Sequence, residues 1–370
     1  MKVNQKQNII FMNDIRKKSD QYNCRVCFSN NIKKFNFTHY TFKFKNKNWN
    51  SFVCFECGSV SEFKINGNEI KYDDGSYREL VDHFDISSKE NKIIPPIDLW
   101  SAVSFKRWEH IYKLIQKNSF ILNKQNLKML DYGGYNGFLS FAFNQKNKIN
   151  SFVADLDPQG LKMAKFLGSE IINIKNETIK ELDFDLITFV HVLEHLDNPK
   201  SILENLKNNL SKNGIVYAEV PNLYGFPLTD ESHKLTFTIH SLSKLFEDSG
   251  YNIIKYGYAT TPEESLKLGY YYNNNKENLF VIATKEDITN KILLHKPIIP
   301  RSIKSFQLTL FMTYAYIMLN SICFNLLKLS MRYFRTFILF LIYGLLEVIS
   351  IKIFRFSLVN TIIKNLKKIF

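Results

Sequence analysis

Four cysteines near the start of the chain are the first residues whose spacing could do chemistry. Cys24-Arg-Val-Cys27 and Cys54-Phe-Glu-Cys57-Gly58 are two C-x2-C pairs with 26 residues between them. Each pair offers two sulfurs from one tight turn, so four thiolates can close a tetrahedron around one Zn2+. With every position filled by cysteine no coordination site stays open, and such an ion would be structural. Two redox dithiols or four separate buried thiols are the alternatives. A second candidate is the glycine loop Asp131-Tyr-Gly133-Gly134-Tyr-Asn-Gly137. Missing Cβ atoms at a strand-to-helix turn let a ligand approach the backbone. The spacing D-x-G-x-x-x-G departs from the G-x-G-x-x-G that seats a pyrophosphate. Further on, Phe152-Val-Ala-Asp155-Leu-Asp157-Pro158 ends another apolar run in acids, and a carboxylate there can accept two ribose hydroxyls. The third candidate is His191-Val-Leu-Glu194-His195, which spells the H-x-x-E-H of some zinc proteases. That chemistry needs a helix with both histidines on one face. Here the motif follows an apolar strand-like run and the next helix opens only at Pro199, so a loop is expected. His195 then either shapes a ligand pocket or takes part in catalysis.

These residues must be positioned by elements that the hydrophobic pattern delimits. Between residues 127 and 284 strand and helix signals alternate. Strands are expected at 127–132, 151–155, 170–174, 186–190 and 214–220, with helices at 137–145, 159–166, 199–210 and 241–249. Asp157 is placed to cap the second of those helices. Two further strands, 252–258 and 279–284, have no helix between them and can finish the sheet antiparallel. The expectation is an α/β fold with a mainly parallel sheet covered on both faces. Residues 99–118 read as a preceding helix with Trp100, Val103, Trp108, Ile111, Tyr112 and Ile115 on one face. Residues 21–66 show period-2 patterning around the cysteines. The organisation read from these signals is a zinc-binding module at 1–66, a linker at 67–98 with a short helix near 77–84, an α/β domain at 99–300 and an apolar helical tail at 301–370.

Taken together, the glycine loop, Asp155-Leu-Asp157-Pro-Gln-Gly-Leu-Lys-Met-Ala164, the stretch Phe184 to Pro199 and Glu219-Val-Pro221-Asn222 resemble class I S-adenosylmethionine-dependent methyltransferases over roughly residues 100–285. The resemblance implies a Rossmann-like sheet and S-adenosylmethionine held by Asp131, Gly133, Gly134, Gly137, Asp155 and His191. Tyr135 stands where a small residue is common in that family. A cysteine-knuckle module ahead of such a domain is similar to sugar C-methyltransferases that act on nucleotide-linked deoxysugars. His195 matches their histidine after the fourth strand. In Asp230-Glu231-Ser232-His233, His233 matches the histidine of their acid–histidine pair, while the carboxylate of Glu231 falls one place early. The implied catalytic set is His233, His195 and Glu231, with Tyr224 as a wall of the acceptor pocket. A further C-terminal α/β domain of those enzymes has no counterpart in the tail.

Charge sorts the remaining readings. The chain of 370 residues carries a formal +14, but residues 1–60 hold +8 and residues 301–370 hold +9, leaving the middle at −3. A catalytic segment with net negative charge argues against a nucleic-acid partner and favours a small-molecule or glycan acceptor. The alternatives are an RNA or protein methyltransferase gripping its substrate through Lys33, Lys34, Lys43, Lys45 and Lys47, or a non-enzymatic zinc-binding adaptor. The N-terminus has no apolar run after its charges, so a cytoplasmic protein is expected. In the tail, Ser305–Leu327 is uncharged, and Lys328, Arg332 and Arg335 then fall on one helical stripe. An amphipathic helix on the inner face of a bacterial membrane, against anionic headgroups, is the expected role. A spanning hairpin and a tail packed on protein are the alternatives.

Overall fold

The computed structural model describes residues 22–35, 49–64, 71–73, 97–118, 125–179, 182–225, 232–259 and 278–287. The tail at 301–370, the short helix near 77–84, Glu231 and Lys43, Lys45 and Lys47 lie outside them. The α/β expectation holds. Strands β4 (Lys128–Tyr132), β5 (Asn150–Asp155), β6 (Glu170–Asn173), β7 (Phe184–Val190), β8 (Leu210–Pro221), β10 (Asn252–Ala259) and β11 (Asn278–Thr284) form one sheet in the order β10-β11-β8-β7-β4-β5-β6. The five strands from β4 to β8 pair parallel. β11 and β10 close the edge antiparallel.

Side-chain alternation on those strands feeds two separate cores. Met129, Leu186, Ile215, Tyr217 and Phe280 face helices α1 (Ile97–Asn118) and α2 (Phe138–Asn147), packing with Ile111, Ile115, Leu139 and Phe143. Their immediate neighbours Leu130, Ile187, Val216 and Val281 face the other way. There they meet Leu203 and Leu206 of α4 (Pro199–Leu206) and Leu242, Leu245 and Phe246 of α5 (Ile239–Asp248). This period of two, buried on both faces, is why the strands read as continuous apolar runs. α3 (Pro158–Phe166) packs Leu161 and Ala164 on Val153.

The helix starts are chemically marked. Asp157 caps α3 by accepting from the backbone of Gln159 at 2.8 Å and Gly160 at 3.2 Å, with Pro158 next in line. Asn198 does the same for α4. Thr238 and Ser241 form a reciprocal capping box on α5. The helix expected at 199–210 stops at Leu206 and tightens into a 3-10 turn, Lys207–Asn209, before β8 begins early at Leu210.

A second, antiparallel sheet has the order β1-β2-β3-β9, from β1 (Ile32–Phe35), β2 (Trp49–Cys54), β3 (Val60–Lys64) and β9 (Leu235–Thr236). Its last strand comes from the α/β segment: Val60 pairs Thr236 and Ser61 pairs Leu235. The cysteine module and the α/β fold therefore share a sheet, where the sequence suggested two units joined by a linker.

Candidate functional sites at the cysteine cluster and the strand-end crevice

The two cysteine turns are copies of each other. Phe28 N–H donates to Cys24 O at 2.9 Å, and Gly58 N–H donates to Cys54 O at 3.0 Å. Val26 N–H reaches Cys24 Sγ and Glu56 N–H reaches Cys54 Sγ, both at 3.4 Å. Phe28 and Gly58 both adopt left-handed backbone, φ 57° and 75°. The turns face each other, with Cys24 Sγ 3.6 Å from Cys57 Sγ and Cys27 Sγ 3.5 Å from Cys54 Sγ. All four sulfurs lie within 4.8 Å of one another, and no disulfide joins them. Four sulfurs about 2.3 Å from a central Zn2+ would be about 3.8 Å apart, so the donor set fits a closed tetrahedral ion. Cys24, Cys54 and Cys57 are buried in the same core as Leu235, Phe237 and Leu242.

The crevice forms where the strand order reverses. β4 leads outward to β5 and β6, whereas β7 continues on the other side, and ligands of such sheets bind at the carboxyl ends of strands that part in this way. The glycine loop leaves β4 at this point. Gly133 has φ 72°, and a Cβ there would lie 2.5 Å from Val192. Gly137 has φ 73°, and its Cβ would lie 2.8 Å from that of Ala164. Gly134 is pressed on the Asp131 carboxylate, 2.6 Å from where its Cβ would stand. At these three glycines the loop is bare backbone with no room for a side chain.

The acids play different parts. Asp131 is buried and faces inward, accepting from Thr188 Oγ1 at 2.7 Å and more loosely from Ser140 Oγ at 3.4 Å. Burial raises its pKa to about 6, against the lowering effect of those two hydroxyls. It braces the loop rather than facing a ligand. Asp155, at the tip of β5, accepts from Tyr135 N–H and Asp157 N–H, each at 2.9 Å. It thereby holds Tyr135 in its left-handed conformation, φ 47°. The Tyr135 ring lies against Gly160, where a Cβ would come within 2.3 Å of it.

His191 follows β7 with φ 56°, so no helix runs through the H-x-x-E-H stretch. Its Nδ1 lies 3.2 Å from Glu194 Oε1, and Asn278 Nδ2 lies 3.2 Å from its Nε2. Behind it, Glu219 accepts from Tyr217 at 2.7 Å, Asn278 at 2.8 Å and Arg107 at 3.4 Å. Burial alone would raise the Glu219 pKa, but Arg107 and His191 hold it well below the usual carboxylate range. Burial alone would likewise lower the His191 pKa, and its contacts with Glu194 and Glu219 raise it to about 9. Arg107, Glu194, Glu219 and Asn278 were not among the expected site residues. A glutamate inside the apolar run of β8 was the available signal.

Next to this network the structure brings His195 and His233 together, ring centroids 4.8 Å apart and edge to face. His195 sits in a 3-10 turn, Leu193–His195, with Nδ1 3.1 Å from Ser232 O. Tyr72, unassigned by the sequence reading, places its hydroxyl 3.3 Å from both His195 Nδ1 and Ser232 O. Tyr224 follows β8, and burial raises its phenol to about 12.

Residues 105–256 match a family model described as a methyltransferase domain. No curated protein matches the chain. Similar solved structures include an S-adenosylmethionine-dependent methyltransferase from Clostridium acetobutylicum, 14% identical over 56% of this chain and 98% of that one, TM-score 0.38. A TehB-like S-adenosylmethionine-dependent methyltransferase from Corynebacterium glutamicum is 18% identical over 49% and 98%, TM-score 0.33. The [4+2]-cyclase SpnF is 12% identical over 48% and 81%, TM-score 0.38. At these identities and overlays nothing about substrate or mechanism transfers from them. The family match makes residues 105–256 a methyltransferase domain, of the kind that takes S-adenosylmethionine as its donor. The crevice fits that donor: a glycine loop brings bare backbone to it at Gly133, Gly134 and Gly137, and Asp155 stands at the tip of the neighbouring strand.

Proposed function

We propose that this methyltransferase acts on a small-molecule or glycan acceptor, of the class of nucleotide-linked sugars or surface-polysaccharide and lipid-linked precursors. The observation that carries this reading is the Tyr72–His195–His233 cluster beside the donor crevice, built from three separate segments. When bound, S-adenosylmethionine supplies an electrophilic methyl group. Gly133, Gly134 and Gly137 would give its approach to the backbone, and Asp155 would receive its ribose hydroxyls. The protein's remaining task is to place an acceptor in line and take its proton. His195 donates from Nδ1 to Ser232 O, which in the neutral ring makes Nε2 the basic nitrogen. His233 presents a second imidazole at the same spot, and the Tyr72 hydroxyl can hydrogen-bond an acceptor oxygen. Glu231, one residue before Ser232, is read as binding an acceptor hydroxyl. We further read the cysteine cluster as holding one structural Zn2+ through Cys24, Cys27, Cys54 and Cys57.

Incubating the full chain with S-adenosylmethionine and a panel of nucleotide sugars, and seeking a one-methyl mass gain, tests the acceptor class. A gain on RNA or protein and on no sugar would overturn it.

Peripheral attachment through residues 301–370 to an anionic membrane surface completes the proposal, because the basic stripe follows a long uncharged run. Among the described residues no helix is long and apolar enough to cross a membrane. Full-length protein should sediment with anionic vesicles and a chain ending at residue 300 should not. Equal sedimentation of the two would refute the attachment.

A further inference from the structure

Glu194 is buried to 1% exposure in the turn between the cofactor crevice and the histidine pair. One carboxylate oxygen, Oε1, meets His191 Nδ1 at 3.2 Å. The other, Oε2, is buried without a hydrogen-bond partner. A carboxylate oxygen, a ring nitrogen of His195 and a ring nitrogen of His233 all lie within 4.8 Å of one another. The backbone strengthens the association: Glu194 O accepts from Lys234 N–H at 2.8 Å, which pins the residue next to His233 against the turn. Lys234 also bridges to Asp197, which takes Arg25 at 2.6 Å.

We propose that Glu194 is the positioning carboxylate for the His195–His233 pair, a role the sequence had assigned to Glu231. This rests on the reading of that pair as the acceptor site. A buried carboxylate oxygen with no donor is costly to leave unpaired. It gains a partner when an imidazole beside it becomes an imidazolium. That happens during turnover: the acceptor's proton passes to the imidazole, and the electron pair left on the acceptor forms the new bond to the methyl carbon. The carbon–sulfur bond breaks with its pair remaining on sulfur. Charge is thereby conserved, and Glu194 faces the cation as it forms. The same three groups also match a divalent-metal set, an alternative that the Mn2+ outcome below decides.

The test needs no known acceptor. Full-length protein labelled at histidine is titrated by NMR in wild-type, Glu194→Gln and Glu194→Asp forms, with His195→Asn and His233→Asn giving the assignments. Around the turn stand Tyr72, His191, Glu219 and the Arg25–Asp197–Lys234 bridge, all unchanged in these variants. Glu194→Gln should lower the titration midpoint of His195 or His233 by at least about half a pH unit, a threefold change in proton affinity. Glu194→Asp, which keeps the charge and serves if the glutamine form does not fold, should restore at least half of the shift. Unmoved midpoints for both histidines would overturn the proposal. So would binding of one Mn2+ that wild-type shows and Glu194→Gln loses, since the cluster would then be a metal site. If the midpoints move while no acceptor in the sugar panel is methylated, the pairing stands and the acceptor reading fails.

Discussion

Gly137 offers the sharpest measure of how tightly the donor loop is built. Replacing it with alanine forces an L residue into φ 73° and drives a methyl to 2.8 Å from Ala164 Cβ and 3.0 Å from Ala164 Cα. The left-handed backbone costs about 1–2 kcal/mol, and overpacking between α2 and α3 about 1–3 kcal/mol more. Gly168 is the internal control, with φ 94° and nothing within 4 Å of its would-be Cβ. Gly168→Ala should show only the backbone cost. The difference, about 1–3 kcal/mol, is read by chemical denaturation of both variants under one set of conditions. Because the displaced atoms lie under the donor loop, Gly137→Ala should also weaken S-adenosylhomocysteine in calorimetry at least tenfold, with Gly168→Ala unaffected. Equal stability and equal affinity of the two variants would refute the close-packed loop.

Asp155→Ala should weaken donor binding by ten- to a hundredfold, about 1.5–3 kcal/mol for a charged hydrogen-bond partner. It should also loosen Tyr135, whose N–H it accepts, visible as faster amide exchange there; unchanged calorimetric affinity would count against the ribose role. Asp131 has a raised pKa of about 6, so the folded state holds its proton more tightly than the unfolded one and stability falls as pH rises from about 4 to about 6. Asp131→Asn removes that loss, and its stability penalty relative to wild type should be smaller at pH 7 than at pH 4; equal penalties would speak against the burial of a charged group. Cys54→Ser should reduce bound zinc from one equivalent to none and speed amide exchange at Leu235 and Thr236, which share the cysteine sheet. Donor affinity should stay within a few-fold, because Asp155 and the glycine loop stand on other strands. Protection at 235–236 that survives metal loss would show that the sheet does not need the cluster.

What the sequence disclosed followed from burial. Strands β4 to β8 are covered on both faces, so their apolar runs and the caps at Asp157 and Asn198 marked the α/β elements to within a few residues. The two-residue strand β9 left no periodic trace, and its partner in β3 lies far away along the chain. The four cysteines announced themselves by spacing because each turn is local. Asp131 illustrates the opposite case: its type and place suggested a ligand contact, but its orientation onto Thr188 depends on a strand 57 residues further on. Glu194 and Tyr72 were hidden for the same reason, since their meaning lies in a meeting of three segments.

The shared sheet sets an order of events in the growing chain. Val60 and Ser61 are made early, but their partners Thr236 and Leu235 emerge from the ribosome about 170 residues later, roughly ten to thirty seconds at ordinary synthesis rates. Until then the cysteine sheet presents β3 as an open edge, and the core around Cys24, Cys54 and Cys57 lacks Leu235, Phe237 and Leu242. The module encoded first is thus among the last parts to be completed. Its closing strand is flanked by His233 on one side and the capped start of α5 on the other, so the segment that completes the sheet also carries one half of the histidine pair.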